Sequence, residues 1–325
     1  MKSQNFYRLL LCFIISSIFT TCKKEDNISL PIIKTYSPLY IASTLATVGC
    51  IVESDGGSDI ICGLYMGTSQ NPESTGTQLQ IGSDTGVFLG QVTGLLPNTQ
   101  YYIKAYAKNV KGEGLGDQVD FITPGTILDY DNNVYETVKI SSQLWMAKNL
   151  RTTYYLNGDL IGTTNPSTLE ITSENSPKYQ WSYSGDEANT LSYGKLYTWY
   201  TITDTRKICP LGWHIPTDME WTTLETLLGG YAIAGSKLKE VGTAHWLSPY
   251  NIDATNESCF SGLPGGYRSW NGPFLLIHND GYYWSSSESE EVTSWIRILD
   301  TGSPSVGRTG LIKSFGASVR CIKDN

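Results

Sequence analysis

The chain is poor in charge and in histidine, and it has no excess of basic residues. Charged side chains make up 17% of its 325 residues, and 31 acids outweigh 23 bases for a formal charge of -8. A nucleic-acid partner is therefore not expected, because backbone phosphates demand a basic surface. The three histidines, His214, His245 and His278, lie in separate segments without His-x3-His spacing, so nothing supports a zinc centre. Long hydrophobic runs are missing too. Leu9 to Phe19, interrupted by Ser16 and Ser17, would reach ~16 Å as a helix, about half of a ~30 Å hydrocarbon core. Disorder is excluded by the reverse feature, 40% hydrophobic and 12% aromatic residues, which is too much apolar surface for an unfolded chain. At ~150 residues per domain the length suggests two modules.

The first segment concerns address. Lys2 and Arg8 precede the short apolar run, and Thr20-Thr21-Cys22 follows it, the layout of an export signal. A cysteine placed directly after such a run resembles the lipobox of bacterial lipoproteins of the Bacteroidota type. That resemblance implies cleavage after residue 21 and diacylation of Cys22, and multiple acyl chains anchor stably where one would be marginal. Residues 22–27, Cys-Lys-Lys-Glu-Asp-Asn, then form a polar tether whose acidic pair resembles cell-surface export tags. The expected location is the outer membrane, facing the cell surface.

Residues 28–124 alternate β-rich runs with turn residues: Ala46 to Val52, then Ser54-Asp55-Gly56-Gly57, then Ile60 to Met66. That spacing predicts an all-β sandwich. The stretch Leu95-Leu96-Pro97-Asn98-Thr99-Gln100-Tyr101 resembles the Leu-x-Pro-x-Thr-x-Tyr corner of a fibronectin type III domain. In the strand it enters, Tyr101, Ile103, Ala105 and Ala107 share one face, and Tyr102, Lys104, Tyr106 and Lys108 the other.

Residues 125–325 hold all nine tryptophans, and that asymmetry marks the module boundary. Thr217-Asp218-Met219-Glu220 is a capping box. It predicts a helix over 218–228 that buries Trp221, Leu224, Leu227 and Leu228 and exits at Gly229-Gly230. A second, shorter helix is predicted over 195–201, with Leu196, Trp199 and Tyr200 inward. The landmarks Gln143-Leu144-Trp145-Met146-Ala147-Lys148-Asn149-Leu150, Cys209-Pro210-Leu211-Gly212-Trp213-His214-Ile215-Pro216, Leu263-Pro264-Gly265-Gly266-Tyr267-Arg268 and Val319-Arg320-Cys321 closely resemble, in this order, the Fibrobacter succinogenes major paralogous domain. The family in turn resembles the C-type-lectin-like group. This implies an α+β fold with short strands, long loops and about two helices, and it implies that Cys209 pairs with Cys321. Cys50 and Cys62 lie in successive predicted strands, and the sequence leaves open whether they pair. Cys259 reads as a buried free thiol.

No catalytic constellation stands out, so no enzyme and no cofactor are expected. Asp129-x-Asp131-x-Asn133 begins like a calcium loop, but Val134 and Ile140 stand where the glycine and the bidentate glutamate belong, and a polar turn is expected instead. Ser285-Ser286-Ser287 lacks a Gly-x-Ser-x-Gly elbow. The group's resemblance to formylglycine-generating enzymes would require a copper-binding cysteine pair, and only Cys259 is unassigned in this module. Asp253, Glu257 and Asp280 cannot be paired as glycosidase carboxylates from spacing alone. The calcium-dependent sugar motifs of C-type lectins are absent from the second module, where Trp270-Asn271-Gly272 is a partial echo.

The most suggestive ligand-binding stretch runs from Tyr267 to Tyr283, where Trp270, Asn271, His278, Asn279, Asp280 and Tyr282 combine flat apolar faces with polar groups. The plainer reading makes these aromatics core plugs. The expected whole is a lipid-anchored module that binds a glycan, polymer or protein without turning it over. A carbohydrate hydrolase and a structural subunit of a surface appendage are the alternatives.

Overall fold

The computed structural model describes residues 27–249, 251 and 253–324; the expected export signal, Cys22 and the rest of the expected tether before Asn27 lie outside them. The first module consists of β1 (Ile32–Ala42), β2 (Leu45–Ser54), β3 (Ile61–Gly67), a short α1 (Pro72–Thr75), β4 (Thr77–Gly82), β5 (Gly86–Thr93), β6 (Gln100–Asn109) and β7 (Gly112–Ile122). β1, β2 and β5 form one layer, and β4-β3-β6-β7 the other. Val48, Cys50, Cys62, Leu64, Ile103 and Ala105, all inaccessible to solvent, meet between them, as a β-sandwich requires. The predicted corner is built: the Leu96 amide donates to Tyr101 Oη at 3.0 Å. Tyr106 departs from the predicted alternation and is 1% exposed, because the Tyr65 ring at 4.9 Å and the Lys108 ammonium at 5.3 Å cover it.

Cys50 and Cys62 project from the facing layers into one core cluster, but as free, buried thiols rather than as a bridge. The two inner faces bring them together in spite of the turn between their strands.

In the second module, β8 (Thr126–Leu128), β9 (Val134–Ile140) and β10 (Gln143–Met146) form a meander. Beyond it come β11 (Gln180–Trp181), α2 (Ala188–Tyr193), β12 (Leu196–Tyr197), α3 (Trp199–Ile202), β13 (Trp213–His214), α4 (Asp218–Leu227) and α5 (Tyr231–Leu238). The chain closes with β14 (Gly265–Arg268), β15 (Phe274–Ile277), β16 (Asp280–Glu288), β17 (Thr293–Asp300), β18 (Val306–Ile312) and β19 (Ile322–Lys323). A five-stranded sheet runs β15-β14-β16-β17-β18.

The two modules share a sheet, which side-chain patterning did not reveal. The end of β1 pairs with β2 on one side and β9 on the other, Tyr40 opposite Ile140 and Ala42 opposite Val138. One path therefore runs β13-β19-β10-β9-β1-β2-β5. The Gly125 carbonyl accepts from Ser43 Oγ at 2.8 Å and Thr137 Oγ1 at 2.6 Å. Further out, Thr47 Oγ1 and Gln91 Nε2 donate to the Glu257 and Asn256 carbonyls, each at 2.9 Å. The junction is thus a set of satisfied backbone groups rather than a hinge.

The capping box forms as predicted, with the Glu220 amide donating to Thr217 Oγ1 and the Thr217 amide to Glu220 Oε2. α4 buries Trp221, Leu224 and Leu228, but Leu227 is 39% exposed: it lies off the stripe, and Glu225 takes the buried place beside Leu224. Trp221 packs 4.8 Å from Trp145 and about 6 Å from Phe260 and Tyr283. Burying a side chain of that size stabilises the fold by roughly 4 to 6 kcal/mol.

Two expectations need correction. The predicted helix over 195–201 is a bridge strand, β12, followed by the single turn of α3. Lys195 is drawn inward by Ser182 and Glu187, and Tyr197 pairs with Gln180 and Ala317. The module also holds four α-helices rather than two among the described residues. α5 was hidden by Gly235, a poor helix former that is needed there because a Cβ would stand 2.2 Å from the Ser305 carbonyl oxygen. Cys209 and Cys321 are disulfide-bonded, closing 112 residues.

Candidate functional site

The six residues singled out from the sequence do not form one site. β14 and β15 are antiparallel, Gly265 opposite Ile277 and Arg268 opposite Phe274. The Trp270-Asn271 loop and the His278-Asn279 turn therefore lie at opposite ends of a four-residue strand, ~13 Å apart at 3.3 Å per residue. Trp270 is half-buried and its carbonyl accepts from the Ile171 amide, while Asn271 is exposed at the loop tip. His278 Nδ1 lies 2.8 Å from the His245 carbonyl and 3.2 Å from Tyr193 Oη, so that ring is structurally engaged. Asn279 closes the turn, its amide bonding Leu276 O and its carbonyl accepting from Thr301.

Asp280 and Tyr282 belong to a different assembly. As i and i+2 on β16 they point to the same sheet face, opposite Asp300 and Ile298 of β17; Trp284 and Ile296, further along that face, are fully buried, and Tyr282 and Ile298 pack against the core they belong to. Beyond Ile298 stands Gly307 of β18, which has no side chain to cover its neighbour. Tyr267 closes on Tyr282 edge-on at 4.8 Å, and Phe315 tilts against Tyr267 at 5.5 Å. Tyr183 and Phe274 make a second pair, 5.4 Å apart, one strand over. All five rings are partly exposed. The result is an aromatic cluster at the partly exposed margin of that core, in which Tyr282, Tyr267 and Phe315 meet ring to ring and Ile298 lies beside Tyr282.

The cluster has a polar end. Tyr282 Oη donates to Asp280 Oδ2 at 3.2 Å. Burial, then the facing Asp300 carboxylate, pushes the Asp280 carboxyl above the ordinary aspartate range; burial and Asp280 push the Tyr282 hydroxyl up as well. Flat rings beside a hydrogen-bonding carboxyl can stack on and orient a ligand with alternating C–H and O–H faces. Tyr282 and Asp280 were in the sequence set. Period-2 reading of β17 would have added Ile298, whereas no local signal brings Tyr267 or Phe315 to them.

Other motif residues prove architectural. Asp129 accepts from the Asn133 amide and side chain and from Tyr135 Oη, and Asp131 accepts from Thr153, which is the polar turn expected. Among the described residues no group of three or more His, Cys, Asp and Glu is poised to hold a metal. His214 sits between Asp324 at 2.6 Å and Glu220 at 2.9 Å. Asp253 pairs with Lys239 and Glu257 with Lys237. Cys259 is a buried thiol beside Thr47 Oγ1, and burial pushes it up to about 12.

The motif arginines, which sequence reading treated only as family marks, are buried hubs. Arg320 donates to Asn149 Oδ1, Met146 O, Phe260 O and Ser261 O. Arg268 donates to the Ser167, Ser269 and Leu169 carbonyls and stacks 4.1 Å over Trp181. Each guanidinium thereby satisfies loop carbonyls that would otherwise be buried without partners.

Comparison with known proteins supplies the family. No curated protein matches the chain. Among solved structures, the sensor domain of the anti-sigma factor RsgI4 of Pseudobacteroides cellulosolvens is 19% identical, over 30% of this chain and 98% of that one, with a TM-score of 0.24. The sixth fibronectin type III domain of human fibronectin type III domain containing protein 3 is 24% identical, over 31% and 86%, with a TM-score of 0.21. At those scores the sandwich assignment stands on its own strand order and tyrosine corner. The model of the Fibrobacter succinogenes major domain matches residues 138–323, more than half of the chain, with the landmark motifs, the disulfide and the buried arginines inside the matched span. The chain belongs to the Fibrobacter succinogenes major domain family.

Proposed function

We propose that this protein is a cell-envelope lipoprotein, held to the outer membrane through acylated Cys22 and facing the cell surface. Its C-terminal module, of C-type-lectin-like α+β type, would bind a glycan without turning it over. The observation that carries this reading is the partly exposed aromatic cluster of Tyr282, Tyr267 and Phe315 beside Asp280. The fibronectin-like module, joined through a continuous sheet, acts as a stiff pedestal.

A glycan array probed with the exported chain tests the binding. At least one saccharide is expected above background, and Tyr282→Ala should weaken it by about tenfold or more, the ~1.4 kcal/mol of one stacked ring. An empty array, or a variant that binds like the wild type, would sink the proposal. The anchor is tested by labelled palmitate, which should enter the wild type and not Cys22→Ala.

A second reading, carbohydrate hydrolysis, draws on Asp280 and Asp300, which stand opposite each other in the β16–β17 register. Their side chains share a face at the ~5 Å spacing of cross-strand neighbours, near that of retaining glycosidases. Sugar release abolished by Asp280→Asn would establish it over the first.

A further inference from the structure

We propose that the Cys-Pro-Leu-Gly-Trp-His-Ile-Pro segment builds a second binding site, a pocket for a small carboxylic acid with an apolar, preferably aromatic, body. The concavity measures about 370 Å³, within the range of small-molecule sites. Its lining includes Ile202, Ile208, Trp213 and Ile215, each less than a tenth exposed, and Cys209 of the disulfide. A floor with so few donors and acceptors is a poor match for a sugar and a good one for a hydrocarbon or aromatic group. Trp213 contributes an aromatic side chain to that lining.

The rim decides the charge. Asp204 is committed to Arg206 Nε at 2.9 Å and Lys178 Nζ at 2.7 Å. His214 is committed through both ring nitrogens to Asp324 and Glu220. Lys207 is exposed, lines the same pocket and makes no ion pair among the described residues. Its backbone is held in the left-handed region, φ 56°, which residues with side chains seldom adopt. Hydrogen bonds from the Lys207 amide to Asp204 O and from the Leu156 amide to Lys207 O fix it there. The uncommitted cation at the mouth of an apolar floor selects an anionic head on an apolar body.

Calorimetric titration of the exported chain, disulfide intact, with 3-phenylpropionate and 3-phenylpropionamide tests this. The two probes share one body and differ in charge. The acid is expected to bind with a dissociation constant of about 1 mM or tighter, and the amide about fivefold more weakly. Lys207→Gln should erase the difference. Thr203→Trp, at the exposed rim, should weaken both probes, with an unchanged unfolding midpoint reporting an intact fold. Equal binding of acid and amide, a preference that survives Lys207→Gln, or no heat at ~10 mM ligand would overturn the assignment. The sheet-face reading is probed separately through Tyr282, so either can fail alone.

Discussion

Replacing Cys209 and Cys321 together by alanine removes a bond that closes 112 residues of chain. In the chain-entropy model a loop of that length, once released, stabilises the unfolded state by about 5 kcal/mol. How far the melting temperature falls depends on what unfolds as a unit. At ~2.1 cal/mol/K per residue, a unit of about 300 residues loses about 8 °C and one of about 200 residues about 12 °C. The β1–β9 pairing and the Ser43, Thr47 and Gln91 bonds across the junction couple the modules, so one transition and the smaller shift are expected. Differential scanning calorimetry of both proteins measures it. Two separated transitions would refute the coupling, and a shift under about 3 °C would refute the loop-closure argument.

Three further outcomes follow from buried groups. Burial pushes the Cys50 and Cys259 thiols up to about 12 and raises Cys62. At pH 8 iodoacetamide should therefore spare all three in the native protein and label them in urea, as mass mapping will report. Arg320→Met should cost about 3 to 5 kcal/mol in urea unfolding, because it strands the Met146, Phe260 and Ser261 carbonyls; a loss under 1 kcal/mol would contradict the hub role. Burial alone would raise Asp218, but hydrogen bonds from Arg308 and Arg297 bring it below the usual aspartate range. Its contribution is then present above about pH 4 and lost as pH falls through the lowered value. Asp218→Asn should flatten the acid limb of the stability profile; an unchanged limb would count against the pairing.

Much of the architecture was readable because it depends on local chemistry. The capping box of α4 needs only Thr217 and Glu220 three residues apart. The strand alternation from Tyr101 to Lys108 needs only a period of two. The limits were physical too. Lys195 was assigned to a helix because its pull toward Ser182 and Glu187 comes from residues that precede it by 13 and 8 positions. α5 was missed because Gly235 obeys the Ser305 carbonyl rather than helix propensity. The candidate site was half legible: Asp280 and Tyr282 came from composition, but sequence proximity had grouped them with Trp270, at the far end of a strand.

The sequence by itself determined the two modules, the β-sandwich, the α4 cap and the order of motifs that marks the family. Each of these is written in composition, in periodicity or in residues a few positions apart. Only the tertiary structure decided that the modules share a sheet, that Tyr267, Tyr282 and Phe315 meet in one cluster, and that Arg268 and Arg320 are buried. Those outcomes rest on backbone hydrogen bonds and contacts between segments tens to hundreds of residues apart. Partners at that range are chosen by packing and by the satisfaction of buried polar groups, not by anything a local window contains.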